Sequence, residues 1–242
     1  MWSNYLLVCI DLGENSEACR ALTRVVEERA SRDGEDCIDM EVLDRLVGAV
    51  TARPPPGSEA AKDEPHSPNE GAGLHHPLAR LFDQVILPRL SDSSRIYKSH
   101  ARLLLWEGRF ADALDANVKA YRASVVNDEQ VERKKERWQE AVEETRDVVD
   151  TLIALGPKAV EEEEKKLAEG QKSTWKDWKF QARSIVRSFM GQSTSSFGVL
   201  SIPVRSCADF EFFDPVGRTK DSFEDEPEWD SLKEILEDIK SA

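Results

Sequence analysis

Residues 94–124 read SRIYKSHARLLLWEGRFADALDANVKAYRAS. Apolar side chains recur at three- and four-residue steps on both sides of Gly108, so the stretch reads as two amphipathic helices joined by a turn at that glycine. The start of the chain can be laid over it. Trp2, Tyr5, Cys9, Gly13, Ala18 and Leu22 stand at the offsets of Tyr97, His100, Leu104, Gly108, Ala113 and Asn117, each pair 95 positions apart. The spacing has a physical reading. The bulky residue on the first helix packs against the second, the glycine permits a tight turn, and the alanine lets the two helices approach closely.

That order of bulky residue, glycine and alanine resembles the tetratricopeptide repeat. Phe110 matches the repeat's aromatic at the start of its second helix, and Asn15 does not. The expected fold is therefore all-α: tetratricopeptide-like antiparallel helix pairs in a right-handed solenoid. Trp2, Gly13, Ala18, Tyr97, Gly108 and Ala113 are the repeat-packing positions. The offset of 95 is not a multiple of the repeat's period of about 34, so the intervening chain must distort the array. Trp2 lies inside a first helix with no polar cap before it, which is expected of a chain continuing a longer array.

Between the two pairs, Asp39 reads as the N-cap of an extra helix through Val42, Leu43, Leu46, Val47 and Val50. Residues 53–76 open on Pro54-Pro55-Pro56-Gly57 and keep no apolar period, the pattern of a disordered insertion. Helix resumes with Leu78, Leu81, Phe82, Val85, Ile86 and Leu90, and Pro88 predicts a kink or an early end. A long helix runs from Glu129 to Leu155, where Gly156-Pro157 predicts a stop. Glu161 to Lys166 is a charged run. Trp178, Ala182, Ile185, Val186 and Phe189 form one face of a helix ending near Gly191, and Val199–Val204 reads as a short extended piece. From Ser206 to Ala242 the chain carries 12 acidic and 4 basic residues, closing on an amphipathic segment with Trp229, Leu232, Ile235, Leu236 and Ile239. The organisation predicted is a first repeat plus extra helix (1–52), a Pro-rich insertion (53–76), a helical repeat domain (77–191) and an irregular acidic tail with a terminal helix (192–242).

Composition narrows the function. The 242 residues carry 33 Lys and Arg against 47 Asp and Glu, a formal charge of −14. Such a chain is a poor general binder of nucleic acid, since phosphate attraction needs a basic face. No apolar run approaches the ~18 residues of a membrane span. Cys9, Cys19, Cys37 and Cys207 make no CxxC pair and read as reduced, buried thiols. The acidic start, without a basic n-region, is not a leader, so cytosol or nucleus is the expected compartment.

A search for chemistry returns little. Gly191-Gln192-Ser193 lacks the lysine of a phosphate-binding loop. His66, His75 and His76 lie in or beside the insertion and read as exposed loop histidines, while His100 holds a helix-packing position. The carboxylates of 161–164 and 214–228 read as solvated runs, and Ser193–Ser196 as a polar loop with phosphorylation the alternative. The expectation is no catalytic residue, no metal, no cofactor and no small-molecule substrate. Two basic features stand out. Arg95, Lys98 and Arg102 share one face of the helix before Gly108, a stripe suited to an acidic peptide or a C-terminal carboxylate, with intramolecular ion pairs the alternative. Lys172, Lys176, Lys179, Arg183 and Arg187, interleaved with Trp175 and Phe180, face only Asp177 within 171–190; they read as an RNA-binding helix or as a dock for an acidic segment.

Trp2-Ser3-Asn4-Tyr5 with Val8, Asp11, Gly13 and Ala18 to Ala21, then Asp147-Val148-Val149-Asp150, then Asp177-Trp178-Lys179-Phe180, Arg183-Ser184, Val186-Arg187-Ser188 and Met190-Gly191, are similar to the tetratricopeptide repeat protein 27 family, known in fungi as the essential-for-maintenance-of-the-cell-wall protein. The resemblance reaches most of the chain except 53–76 and implies the C-terminal part of a family member. It further implies a non-enzymatic repeat scaffold for protein partners, linked to chaperone-assisted complex assembly and RNA-processing complexes, and in fungi to cell-wall integrity. The Pro-rich insertion departs from the family's short connection. The lysine and asparagine clamp of chaperone-binding repeats is not reproduced, because Ser3 and Leu7 stand in its places. The expected function is a protein-interaction scaffold without catalysis, with an RNA-processing adaptor using a basic helix at 172–187 as the alternative.

Overall fold

The computed structural model describes residues 2–55, 58–59, 67–126, 135–167, 172–189 and 227–242. Every regular element among them is helical. The backbone divides into two compact units, residues 1–123 and 124–242. That division falls inside the stretch 77–191.

In the first unit the described helices form three successive hairpins. They are α1 (Trp2–Asp11) with α2 (Asn15–Asp33), α3 (Met40–Thr51) with α4 (Gly71–Arg80), and α5 (Ser94–Trp106) with α6 (Phe110–Val126). The leading helices α1, α3 and α5 pack in that order, and α2 rests on α4. This is tetratricopeptide-like stacking with a middle member. Two periods of ~34 residues account for all but ~27 of the 95-residue offset, and residues 52–70 between α3 and α4 supply most of that excess.

The outer hairpins turn in the same way. Gly13 and Gly108 have φ of 74° and 76°. The Gly13 N–H donates to Ile10 at 3.0 Å and Glu14 N–H to Cys9 at 2.8 Å; Gly108 N–H donates to Leu105 and Arg109 N–H to Leu104, both at 3.0 Å. These paired bonds satisfy the last carbonyls of the first helix. A Cβ at either glycine would meet nothing within 4 Å, so the left-handed backbone alone calls for glycine. Ala18 and Ala113 are fully buried where the helices approach. Asp39 caps α3 by accepting from the N–H groups of Glu41 and Val42 at 3.1 and 3.4 Å, and Ser93 caps α5 through Ile96 N–H at 3.3 Å.

The middle hairpin departs from the expectation. The helix at 40–51 is not an extra element; it pairs with α4 across the Pro-rich insertion. Nor is the whole of 53–76 irregular. Asn69 accepts from Ser16 N–H through its side chain and from Asn15 Nδ2 through its carbonyl, both at 2.9 Å, giving α2 the N-terminal acceptor that it lacks locally. Gly71 to His76 are helical and Leu74 is fully buried. At Gly73 a Cβ would lie 2.1 Å from the Ser67 carbonyl oxygen, so only glycine lets the insertion fold back onto α4. Residues 56–57 and 60–66 lie outside the described residues. After α4 the chain continues into a π-helical turn, Leu81–Ile86, in which Leu87 N–H reaches Phe82 at 3.0 Å.

The second unit holds α7 (Lys135–Lys166), α8 (Trp178–Phe189) and α9 (Pro227–Ser241), each packed on the other two. Val149, Leu152, Ala182, Val186, Leu232 and Ile235 are buried among them, so the terminal amphipathic segment docks on α7 and α8. The expected stop at Gly156-Pro157 is overturned: α7 runs through both residues. Gly156 is there for packing. A Cβ on it would lie 2.6 Å from Cγ and Cδ2 of Trp178, so the bare backbone seats the indole. Pro157 is exposed, and it leaves the Ile153 carbonyl without its usual amide donor. Residues 127–134 and 190–226, which include the expected helix start at Glu129, the serine cluster 193–196, the piece 199–204, Cys207 and most of the acidic tail, lie outside the described residues.

Candidate functional site

The shared face of α1, α3 and α5 carries the first basic stripe. Arg95, Lys98 and Arg102 are all exposed on α5. Asp44 of α3 accepts from the Ser99 hydroxyl at 2.7 Å and lies 4.0 Å from the Arg102 guanidinium. The next residue of α3, Arg45, bonds Glu41 at 2.7 Å and reaches Asp11 of α1 at 3.0 Å. Carboxylates and guanidinium groups thus alternate across the three leading helices, linking α1 to α3 and α3 to α5. Exposed pairs of this kind stabilise by about 0–1 kcal/mol each; their effect is to set the pattern of charge on the face. Sequence reading found the α5 cations but missed Asp44 and Arg45, whose partners on other helices lie 34 to 58 positions away in sequence.

The same unit places the histidines. His75 is not an exposed loop residue. It sits on α4, its Nε2 2.6 Å from Glu107 Oε1, and its ring lies 5.1 Å from that of Trp106. Burial alone would raise the Glu107 carboxyl, but hydrogen bonds from His75 and Arg109 outweigh it and hold the group below the usual glutamate range. Trp106 donates from Nε1 to the Arg53 carbonyl at 2.5 Å, and the Arg53 guanidinium pairs with Glu70 at 2.6 Å, closing the base of the insertion. His100 is buried and stacks on Phe82 at 4.9 Å. Burial lowers its pKa, with Asp83 at 3.7 Å opposing. Burial pushes the Cys19 thiol up to about 12, which leaves it a neutral core group.

The outer hairpins differ in one respect. His100 and Leu103 of α5 are buried against the middle hairpin, whereas Tyr5 and Val8, their counterparts on α1, are 44% and 54% exposed. Trp2 and Tyr5 line an open groove of about 500 Å³ with Glu17, Arg20, Ala21 and Arg24 of α2. Tyr97, the counterpart of Trp2, is half-buried over the α5–α6 cluster of Ala101, Leu104, Ala113 and Ala116.

The second basic stripe belongs to the other unit, and it is not one helix. Helix α8 starts at Trp178, and Lys172 and Lys176 lie on the turn before it. Glu163 of α7 fixes that turn by accepting from the Ser173 hydroxyl and, at 3.2 Å, from Trp175 N–H. The 161–164 run is therefore not wholly solvated. Trp175 and Trp178 are buried, and Lys179 Nζ lies 5.6 Å from the Trp178 ring centroid. Arg183 is half-buried with its Nε in no hydrogen bond among the described residues, and Arg187 is exposed. No ion pair holds any of these five cations among the described residues.

Two curated fungal proteins are similar to the chain. It is 30% identical over 194 residues to a TPR repeat-containing protein of Schizosaccharomyces pombe, covering 79% of this chain and 21% of that protein. It is 26% identical over 192 residues to Essential for maintenance of the cell wall protein 1 of Saccharomyces cerevisiae, covering 79% of this chain and 20% of that protein. The chain thus spans about a fifth of the length of these relatives. They bear out the resemblance drawn from the sequence, and the tetratricopeptide reading with it. No family model matches the chain, and no solved structure does.

Proposed function

We propose that this chain is a tetratricopeptide-type scaffold that holds a protein segment on the shared face of α1, α3 and α5. The reading is supported by the stacked hairpins, by relatives one of which is named for its repeats, and above all by the alternating charge of that face. Stacked hairpins present an extended surface, and peptides or helices dock on such surfaces. Arg95, Lys98 and Arg102 supply the attraction for acidic groups, while Asp44 and Arg45 set the register in which a partner's charges are accepted. No step of bond chemistry is assigned to the face. The name of the yeast relative makes cell-wall maintenance the first process in which to look for the partner, and chaperone-assisted assembly is the second.

The test is recovery of bound proteins from a fungal extract by the full chain and by a variant carrying Arg95→Glu, Lys98→Glu and Arg102→Glu. Specific partners should fall severalfold while circular dichroism remains helical. Equal recovery by the two proteins would move the binding surface elsewhere. Of the two aromatics of the RNA-adaptor alternative, Trp175 is buried and Phe180 is 39% exposed, so one ring remains for the stacking on which single-strand binders rely.

A further inference from the structure

We infer that the outer face of α8, with the turn that precedes it, is a second docking surface, and that its ligand is an acidic polypeptide segment. This goes beyond the function proposed above, since it concerns a different surface on the other compact unit.

The cations elsewhere are largely neutralised in place. Arg45, Arg53, Arg109, Arg146 and Lys165 each sit against a carboxylate at 3.1 Å or less. Among the described residues, Lys172, Lys176, Lys179, Arg183 and Arg187 do not. Lys179, Arg183 and Arg187 follow at four-residue steps and so stand one above another along α8. The turn bearing Lys172 and Lys176 extends the row and is held in place by Glu163. The row is therefore positioned in advance, which lowers the ordering cost of binding.

The choice between polypeptide and nucleic acid follows from the aromatics. The indoles of Trp175 and Trp178 are committed to the packing of the unit, so a single ring accompanies the cations instead of the succession on which consecutive bases stack. Phe180 is 39% exposed and lies three residues before Arg183 and seven before Arg187, on their side of the helix. One apolar ring beside a row of cations fits carboxylates interspersed with an aliphatic residue.

The test uses the full chain and three fluorescein-labelled probes in anisotropy titrations: a 12-residue peptide of ten glutamates and two leucines, its lysine counterpart, and a 12-nucleotide oligouridylate. The glutamate peptide should bind, weaken steeply between 50 and 200 mM salt, and lose about tenfold in affinity on Lys179→Glu with Arg187→Glu. Lys172→Glu with Lys176→Glu, which touches only the turn, should give a smaller loss in the same direction. The loss on Lys179→Glu with Arg187→Glu should be the same in a background carrying Arg95→Glu and Arg102→Glu, which separates the two surfaces. Tighter binding of oligouridylate through the same residues would overturn the inference in favour of nucleic acid. Absence of glutamate-peptide binding at 50 mM salt, or binding indifferent to the Lys179 and Arg187 reversals, would overturn it outright.

Discussion

Replacing Gly156 by alanine places a methyl group 2.6 Å from Cγ and Cδ2 of Trp178 and 3.1 Å from Cδ1. Carbon atoms rest about 3.5–4.0 Å apart, so α7 and α8 must separate by about 1 Å or the indole must leave its rotamer. Overpacking of that kind costs about 1–3 kcal/mol. Against it, alanine is better than glycine in a helix interior by about 1 kcal/mol. The net for Gly156→Ala is a loss of about 0–2 kcal/mol, which alone decides nothing. The informative quantity is the coupling to position 178. Trp178→Leu keeps an apolar side chain but removes the indole face. In that background only the propensity gain remains, and Gly156→Ala should stabilise by about 1 kcal/mol. The coupling between the two sites is then about 1–3 kcal/mol. Amide hydrogen exchange on the full chain, followed in peptides from 141–166 and 178–189, reads local opening without assuming that both units unfold together. Had Gly156 been a left-handed helix terminator, alanine would cost the same whatever occupied position 178. An additive cycle would refute the close approach of α7 and α8.

Three further outcomes are expected. Gly13→Ala and Gly108→Ala should each destabilise by about 1–2 kcal/mol through backbone strain alone, equal within about 0.5 kcal/mol in urea melts; a cost at one site only would break the equivalence of the two turns. Leu103→Ala should cost about 2–5 kcal/mol, whereas Val8→Ala at the equivalent position of α1 should stay within about 0.5 kcal/mol, and similar values would mean that α1 is covered. Because burial holds the His100 pKa below its ordinary value, against the pull of Asp83, the unfolded chain takes up that proton more readily than the folded one. Stability from this group is intact above the unfolded pKa of about 6.5 and is lost as pH falls from there towards the folded value. His100→Leu should flatten the urea midpoint between pH 7 and 5, and an unchanged slope would count against the buried neutral ring.

The outer hairpins were legible because their signals are local. An apolar period, a glycine at the turn and an alanine opposite need only the chain's own neighbours, and Gly13 and Gly108 meet the same backbone demand. The Gly156-Pro157 dipeptide misled because the rule for it is also local. Glycine before proline usually ends a helix, but here the absence of a side chain serves Trp178, 22 positions away. His75 was misread for a similar reason: proline and glycine around it suppress the apolar period, while its partner Glu107 lies 32 positions on. The charged face of α1, α3 and α5 was half legible. A stripe on one helix shows in the spacing of Arg95, Lys98 and Arg102, but the carboxylate facing it comes from another hairpin.

The middle hairpin was the element best hidden, and its energetics explain why it survives an insertion. The loop between α3 and α4 has grown to residues 52–70, against residues 12–14 in the first hairpin. Loop-closure entropy rises by only about 0.6 kcal/mol per doubling, so this lengthening costs about 1.5 kcal/mol. The exposed Arg53–Glu70 pair returns about 0–1 kcal/mol. The Trp106 to Arg53 hydrogen bond and the two bonds from Asn15 and Ser16 to Asn69 add about 0.5–1.5 kcal/mol each. Both ends of the insertion are thus fastened to neighbouring hairpins, and the extra length is offset without disturbing the contacts of α3 with α1 and α5. An insertion placed instead between hairpins would have to displace one whole pair relative to the next. Placed inside the turn of the middle pair, it breaks the sequence period and leaves the stacking intact, and with it the charged face that the leading helices share.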